Sequence, residues 1–138
     1  MALFRRTPPK TPATAAPQDP NWVRDGSGRY FRLLQLDPEG QGLAGTGGVF
    51  VIWHGGMRPA WVYVGAADDL ARALHDIAAN PDLRAHEIRG GLFVTWSLTH
   101  APYRAGAVAY LQDLLMPVMV NPAAAGAEPV PVLPPSGT

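Results

Sequence analysis

The sequence predicts an α+β domain, a three-stranded antiparallel sheet in β, β, α, β, α order with its helices packed on one side. Three observations carry this expectation. Two apolar runs, "GVFVIW" and "WVYVG", flank the turn-rich "HGGMRPA", the pattern of an antiparallel hairpin from about residue 48 to 65. A third apolar run, "GLFVTWSL" at 91–98, stands apart from them. The stretches after the second and third runs repeat apolar residues at helical spacing, and helices laid on the sheet would cover its apolar faces.

A chain of 138 residues, 47% of them hydrophobic, has room for one domain with a modest core. Prolines gather at the ends, at positions 8, 9, 12, 17 and 20 and again at 122, 129, 131, 134 and 135. Residues 1–20 and 122–138 therefore read as disordered Pro/Ala-rich tails, leaving 21–121 as the folded domain.

Along that domain, "WVRDGSGRYFRLLQL" offers a turn at Asp25–Gly28 and a strand candidate from Tyr30 to Leu36. The glycine-rich "DPEGQGLAGTGG", 37–48, has few side chains to pack and reads as a flexible connector. It lacks the GK[ST] ending or strand-to-helix setting of a phosphate loop. After the hairpin, Asp68 or Asp69 can cap a helix carrying Leu70, Leu74 and Ile77 or Ala78, which "NP" at 80–81 ends. A second helix, Tyr103–Met116, carries Val108, Leu111, Leu114 and Leu115 and stops at Pro117.

Residues 21–121 hold eight arginines and nine acids, a net charge of −1, without the basic excess of a protein that grips phosphate backbones. The absence of cysteine excludes disulfides, thiolate metal sites and Cys nucleophiles. No apolar run reaches signal-peptide or membrane-span length, so a cytoplasmic location and no membrane partner are expected.

The order of elements, with "GVF" (Gly48, Val49, Phe50) in the first hairpin strand and "YVG" (Tyr63, Val64, Gly65) ending the second, resembles the GIY-YIG nuclease family over about residues 47–121. "YVGAADDL" is similar to its strand-to-helix join, "LFVTW" to its third strand, and "YLQDLLMPVMVN" to its last helix with the closing Asn121. In such a fold Gly65 would let the chain turn sharply out of the strand. The resemblance also implies metal-assisted phosphodiester hydrolysis, with two strand tyrosines, a helix arginine and a metal-binding glutamate, because an anionic pentacoordinate centre needs a proton acceptor, a donor and a cation.

Carried over position by position, Tyr63 and Gly65 are retained. The first-strand tyrosine falls on Phe50, the arginine on Ala73, the helix histidine on Ile77, and the glutamate on Ala107 or Val108. Arg72 lies about 100° around the helix from Ala73 and cannot simply substitute. The packing positions are kept and the chemical ones lost, so Tyr63 is the one catalytic-type side chain left. No metal site is predicted, and Mg2+ would be needed only if nuclease chemistry survived.

Other clusters have plain structural explanations beside functional ones. Arg72, His75 and Asp76, with His54 or with His86 and Glu87, could form a relocated acid/base or metal site, but a solvated helix face explains them. Trp22, Trp53, Trp61 and Trp96 could stack bases, and three of them fall in expected strands where core packing explains them. Arg24, Arg29, Arg32 and Arg58 could line a nucleic-acid groove if the N-terminal segment folds beside the hairpin. Arg58, Arg72 and His75 are the candidate contacts to nucleic acid or a protein partner.

The expected function is a catalytically degenerate GIY-YIG-like domain serving as a protein-interaction or assembly module, with self-association left open and "ALFRR" at the N-terminus a candidate docking peptide. The alternatives are a metal-dependent endonuclease of the same type and a non-catalytic nucleic-acid binder.

Overall fold

The computed structural model describes residues 17–136. "ALFRR" and most of the expected N-terminal tail lie outside the described residues. The sheet has four strands, not three: β1 (Phe31–Arg32), β2 (Gly48–His54), β3 (Ala60–Ala67) and β4 (Leu92–Ser97), in spatial order β1-β4-β2-β3 with every pair antiparallel. Only two residues of the strand expected over Tyr30–Leu36 join the sheet, because Leu33–Gln35 forms a 3-10 turn. An extended chain would send alternate side chains to opposite faces, whereas the turn lets Leu33, Leu34 and Leu36 all reach one core.

The helices flank both faces of the sheet, which corrects the one-sided arrangement. Helix α1 (Leu70–Ala78) and the short α2 (Pro81–Arg84) bury Leu70, Leu74 and Leu83 against Phe50, Ile52, Leu92, Val94 and Trp96. Helix α3 (Ala101–Leu115) buries Ala107, Val108 and Leu111 against Val49, Val51 and Val64 on the other side. The physical reason lies in β2, whose continuous apolar run presents hydrophobic side chains to both faces and requires cover on both.

A bulge between Ile52 and Trp53 pairs Ile52 with Tyr63 and Trp53 with Trp61, leaving Val62 as the extra residue. Val62 and Tyr63 therefore both contact the α1-side core, where strict alternation would have separated them. Gly65 sits inside β3, opposite Phe50, and not at the turn assigned to it. A Cβ there would lie 2.5 Å from Phe50 Cζ and 2.9 Å from Tyr63 Cε2, so glycine is required by the rings over it. The chain leaves the strand at Asp68 and Asp69, and the Asp69 carboxylate caps α1 by accepting from Arg72 N–H at 3.2 Å.

The connector at 37–48 is built into the fold. Leu43 is buried, Thr46 C=O accepts from Leu70 N–H at 2.8 Å, and Gly45 N–H donates to the Asp69 carboxylate at 3.2 Å. "NP" at 80–81 starts α2 as well as ending α1, since Asn80 Oδ1 accepts from Asp82 and Leu83 N–H. The C-terminal segment, expected as a tail, is likewise packed over residues 122–136, with Ala124 and Val132 buried in the α3-side core. Among the described residues no helix is long and apolar enough to cross a membrane.

Candidate functional site

The positions carried over from the nuclease pattern fall on opposite sides of the sheet. Phe50, Tyr63, Ala73 and Ile77 belong to the α1-side core, whereas Ala107 and Val108 are buried in the α3-side core with Val49 and Val64. The Phe50 and Tyr63 rings pack tilted at 6.0 Å, and burial pushes the Tyr63 phenol above its usual range, which disfavours a phenolate. Gly48 is held by packing too, as a Cβ there would collide with the Ser97 carbonyl.

Asn121 is spent on structure. Its amide donates to Val64 C=O at 3.1 Å and its Oδ1 accepts from Ala123 N–H at 3.0 Å. The Gln112 side chain holds the Asn121 backbone N–H and C=O at 2.6 and 3.0 Å.

The nuclease pattern would place a metal-binding carboxylate at Ala107 or Val108. Its carboxylate position is apolar and buried, and among the described residues no group of three or more His, Asp or Glu could hold an ion. A cleft of about 300 Å³ beside Asn121 contains Arg104 and Asp68, which pair at 2.6 Å, and is otherwise lined chiefly by alanines. Arg104 was not signalled by any motif, and Gly47 makes room for its guanidinium.

The helix-face residues are solvated. Arg58 is exposed in the hairpin loop, and Arg72 lies 3.7 Å from Asp76 with both side chains largely exposed. His75 Nε2 contacts the Glu39 carboxylate at 2.8 and 3.0 Å, and that hydrogen bond raises the His75 pKa and lowers that of Glu39. The structure does not bring His54 into this group.

His54 is buried instead at the far end of β2, stacked on His86 with ring centroids 6.0 Å apart, and Nδ1 of each ring has no protein hydrogen-bond partner. Burial, then the charges of His86 and Arg89, hold its pKa below the ordinary value of about 6.5. An unfolded chain therefore takes up this proton more readily, so stability is full above about pH 6.5 and falls as the pH drops through the lower folded value. The raised His75 acts oppositely, its contribution being lost as pH rises, but that exposed pair is screened by salt. In salt, the wild-type melting temperature is expected to fall between pH 7 and pH 5, and His54→Phe to flatten the fall. An unchanged slope would assign it to another group.

Two surfaces stand out. The N-terminal segment does fold beside the sheet, with Val23 N–H donating to Trp96 C=O at 3.0 Å, and Arg29 and Arg32 line one cleft there with Tyr30, Phe31 and Phe93. Arg24 lies over the Tyr30 ring at 4.2 Å and Arg32 over Phe93 at 5.2 Å. Trp53 contacts Tyr30, Trp61 and Phe93, whereas Trp96 is core, stacked on Phe31. The second surface is apolar: Leu114, Met116, Val118 and Val120 are 52, 80, 57 and 73% exposed at the end of α3 and in the segment along the β3 edge. That segment is held by Val118 N–H to Trp61 C=O at 3.1 Å and Met119 N–H to Val62 C=O at 2.9 Å, and Met119 packs inward while Val118 and Val120 are exposed.

Compared with known protein-family models, with curated proteins and with solved structures, the chain matches none.

Proposed function

We propose that this chain is a non-catalytic interaction or assembly module built on a GIY-YIG-like ββαβα core. Met116 is the observation that carries the proposal. It is 80% exposed and sits in the left-handed region, φ 51° and ψ 60°, at the C-cap of α3. Exposure favours a polar residue there and the backbone favours glycine or asparagine, so one side chain violates two local preferences at once. A left-handed conformation costs a non-glycine residue about 1 kcal/mol. Conflicts of this kind mark positions that serve a partner, and Leu114, Val118 and Val120 extend Met116 into an apolar ridge suited to a protein surface. The separation of the nuclease positions by the sheet supports the loss of catalysis.

The arginine and aromatic surface at β1 and β4 favours the second reading, a nucleic-acid binder whose bases stack on the rings. One experiment separates the two. Tagged wild-type chain and a Met116→Asp/Val118→Asp variant are used for affinity capture from the native cell at low salt, with and without nuclease. A partner that survives nuclease and is lost with the variant is the expected result. Recovery of nucleic acid by both chains, with partners lost on nuclease treatment, would replace the first reading with the second.

A further inference from the structure

The packed C-terminal segment carries prolines at 129, 131, 134 and 135. Each proline fixes its own φ and holds the preceding residue extended, so the segment loses little conformational freedom when it docks. It crosses α3 at Gly106, whose carbonyl accepts from Val130 N–H at 3.0 Å, and a Cβ at that glycine would lie 2.5 Å from Val130 Cγ2. Leu133 N–H then donates to Gln18 C=O at 2.8 Å and Gln18 N–H to Pro131 C=O at 3.2 Å, while Val132 is buried in the α3-side core.

Beyond that point the contacts are those of an aromatic groove reading a proline-rich backbone. The Trp22 indole N–H donates to Leu133 C=O at 2.7 Å, and the Tyr30 hydroxyl donates to Ser136 C=O at 2.9 Å. Arg24, resting on the Tyr30 ring, donates to Ser136 Oγ at 2.8 Å. The two aromatic donors aim at backbone carbonyls, Leu133 C=O just before Pro134 and Ser136 C=O just after Pro135, and such contacts ask of the ligand chiefly an extended backbone that keeps its carbonyls free. Ser136 also lines a cleft of about 420 Å³ together with Trp53, Trp61, Phe93 and Pro59.

We propose that this groove is a proline-rich-peptide site, occupied in cis by the chain's own residues 129–136 and able to take a proline-rich segment of another chain in trans. The cis segment is the argument for the occupant, since it shows the backbone chemistry that the groove accepts. The bonds from Trp22 and from Arg24 to the segment are solvent-exposed, whereas Pro131, Val132 and Pro135 are buried, so a segment bound in trans must cover the apolar surface that the cis segment leaves. The cleft that Ser136 lines places further aromatic surface within reach of a segment bound in the groove. The proposal is independent of the Met116 ridge.

The test uses the full chain and the synthetic peptide PVPVLPPS. Replacing Pro131, Pro134 and Pro135 by Gly in the chain loosens the cis segment and leaves the groove intact. This variant is expected to bind the peptide roughly ten-fold or more tightly than wild type, because a tethered segment competes at an effective concentration on the order of millimolar. Adding Trp22→Phe, which keeps a ring and removes the N–H, is expected to weaken that binding. Absence of binding to a folded variant, or binding indifferent to Trp22→Phe, would overturn the proposal. Should the triple variant fail to fold, wild-type chain is titrated with the peptide while the Trp22 indole N–H resonance is followed. A saturable shift with millimolar peptide, absent with a proline-free peptide, supports the site, and no shift overturns it. Self-association of wild-type chain that Trp22→Phe abolishes would identify the occupant as the tail of a second copy.

Discussion

Gly65→Val is expected to destabilise the domain by about 3 kcal/mol, a large share of the roughly 5–15 kcal/mol available to a fold of this kind. The added Cβ would meet Phe50 Cζ at 2.5 Å and Tyr63 Cε2 at 2.9 Å, and Phe50 is buried among Ile52, Leu70 and Trp96 with nowhere to move. The same geometry predicts partial rescue. Phe50→Ala alone costs about 3–5 kcal/mol through the cavity it leaves, but in the double variant the valine fills part of that space, so the two losses add to less than their sum. Urea denaturation of the four chains measures the coupling. Strictly additive losses would mean that Gly65 is needed for backbone conformation, as the turn role at the strand-to-helix join requires, and not for the ring that covers it.

Asn121→Ala is expected to cost about 2–3 kcal/mol, because it leaves the Val64 carbonyl and the Ala123 N–H without their partner next to a buried sheet edge. The loss should extend to the segment running along β3, whose attachment also rests on Gln112. Urea unfolding measures it, and Gln112→Ala should reproduce part of the effect. A chain that kept full stability without the Asn121 amide would show that the residue is free to act on a ligand, which its hydrogen bonds argue against.

Much of the fold was legible because its signals are local. The β2–β3 hairpin follows from two apolar runs around a turn, α1 from Asp68 or Asp69 followed by Leu70 and Leu74, and the end of α3 from Pro117. Even the two-sided cover was readable in principle, since Val49 and Val51 alternate with Phe50 and Ile52 and leave no polar face. The 3-10 turn at Leu33–Gln35 was not, because apolar residues at 33, 34 and 36 fit a strand or a turn until the position of the core is known. Nor was the bulge, which redirects Tyr63 and depends on how β3 registers against β2.

The candidate site was legible only in its losses. Under the proposed GIY-YIG-like reading, Ala73, Ala107 and Val108 stand where that pattern would place charge, and the comparison can be made residue by residue. The surfaces that remain were not visible. Met116 reads as the last residue of an apolar helix face, and its exposure arises because the chain leaves α3 in a left-handed turn and runs out along β3.

By itself the sequence determined the β2–β3 hairpin, the apolar run of β4, an aspartate cap for α1 and the helical stretches of α1 and α3, since each rests on side-chain type within a few positions. The tertiary structure decided which face each helix covers, that β1 joins β4, that the glycine-rich connector and the proline-rich C-terminal segment are packed, and that Trp22, Arg24 and Tyr30 converge on that segment. Those outcomes rest on contacts between residues as distant as Trp22 and Leu133 or Tyr30 and Ser136, and a single chain read in order carries no periodic signal for a hydrogen bond that closes only when the whole sheet has formed.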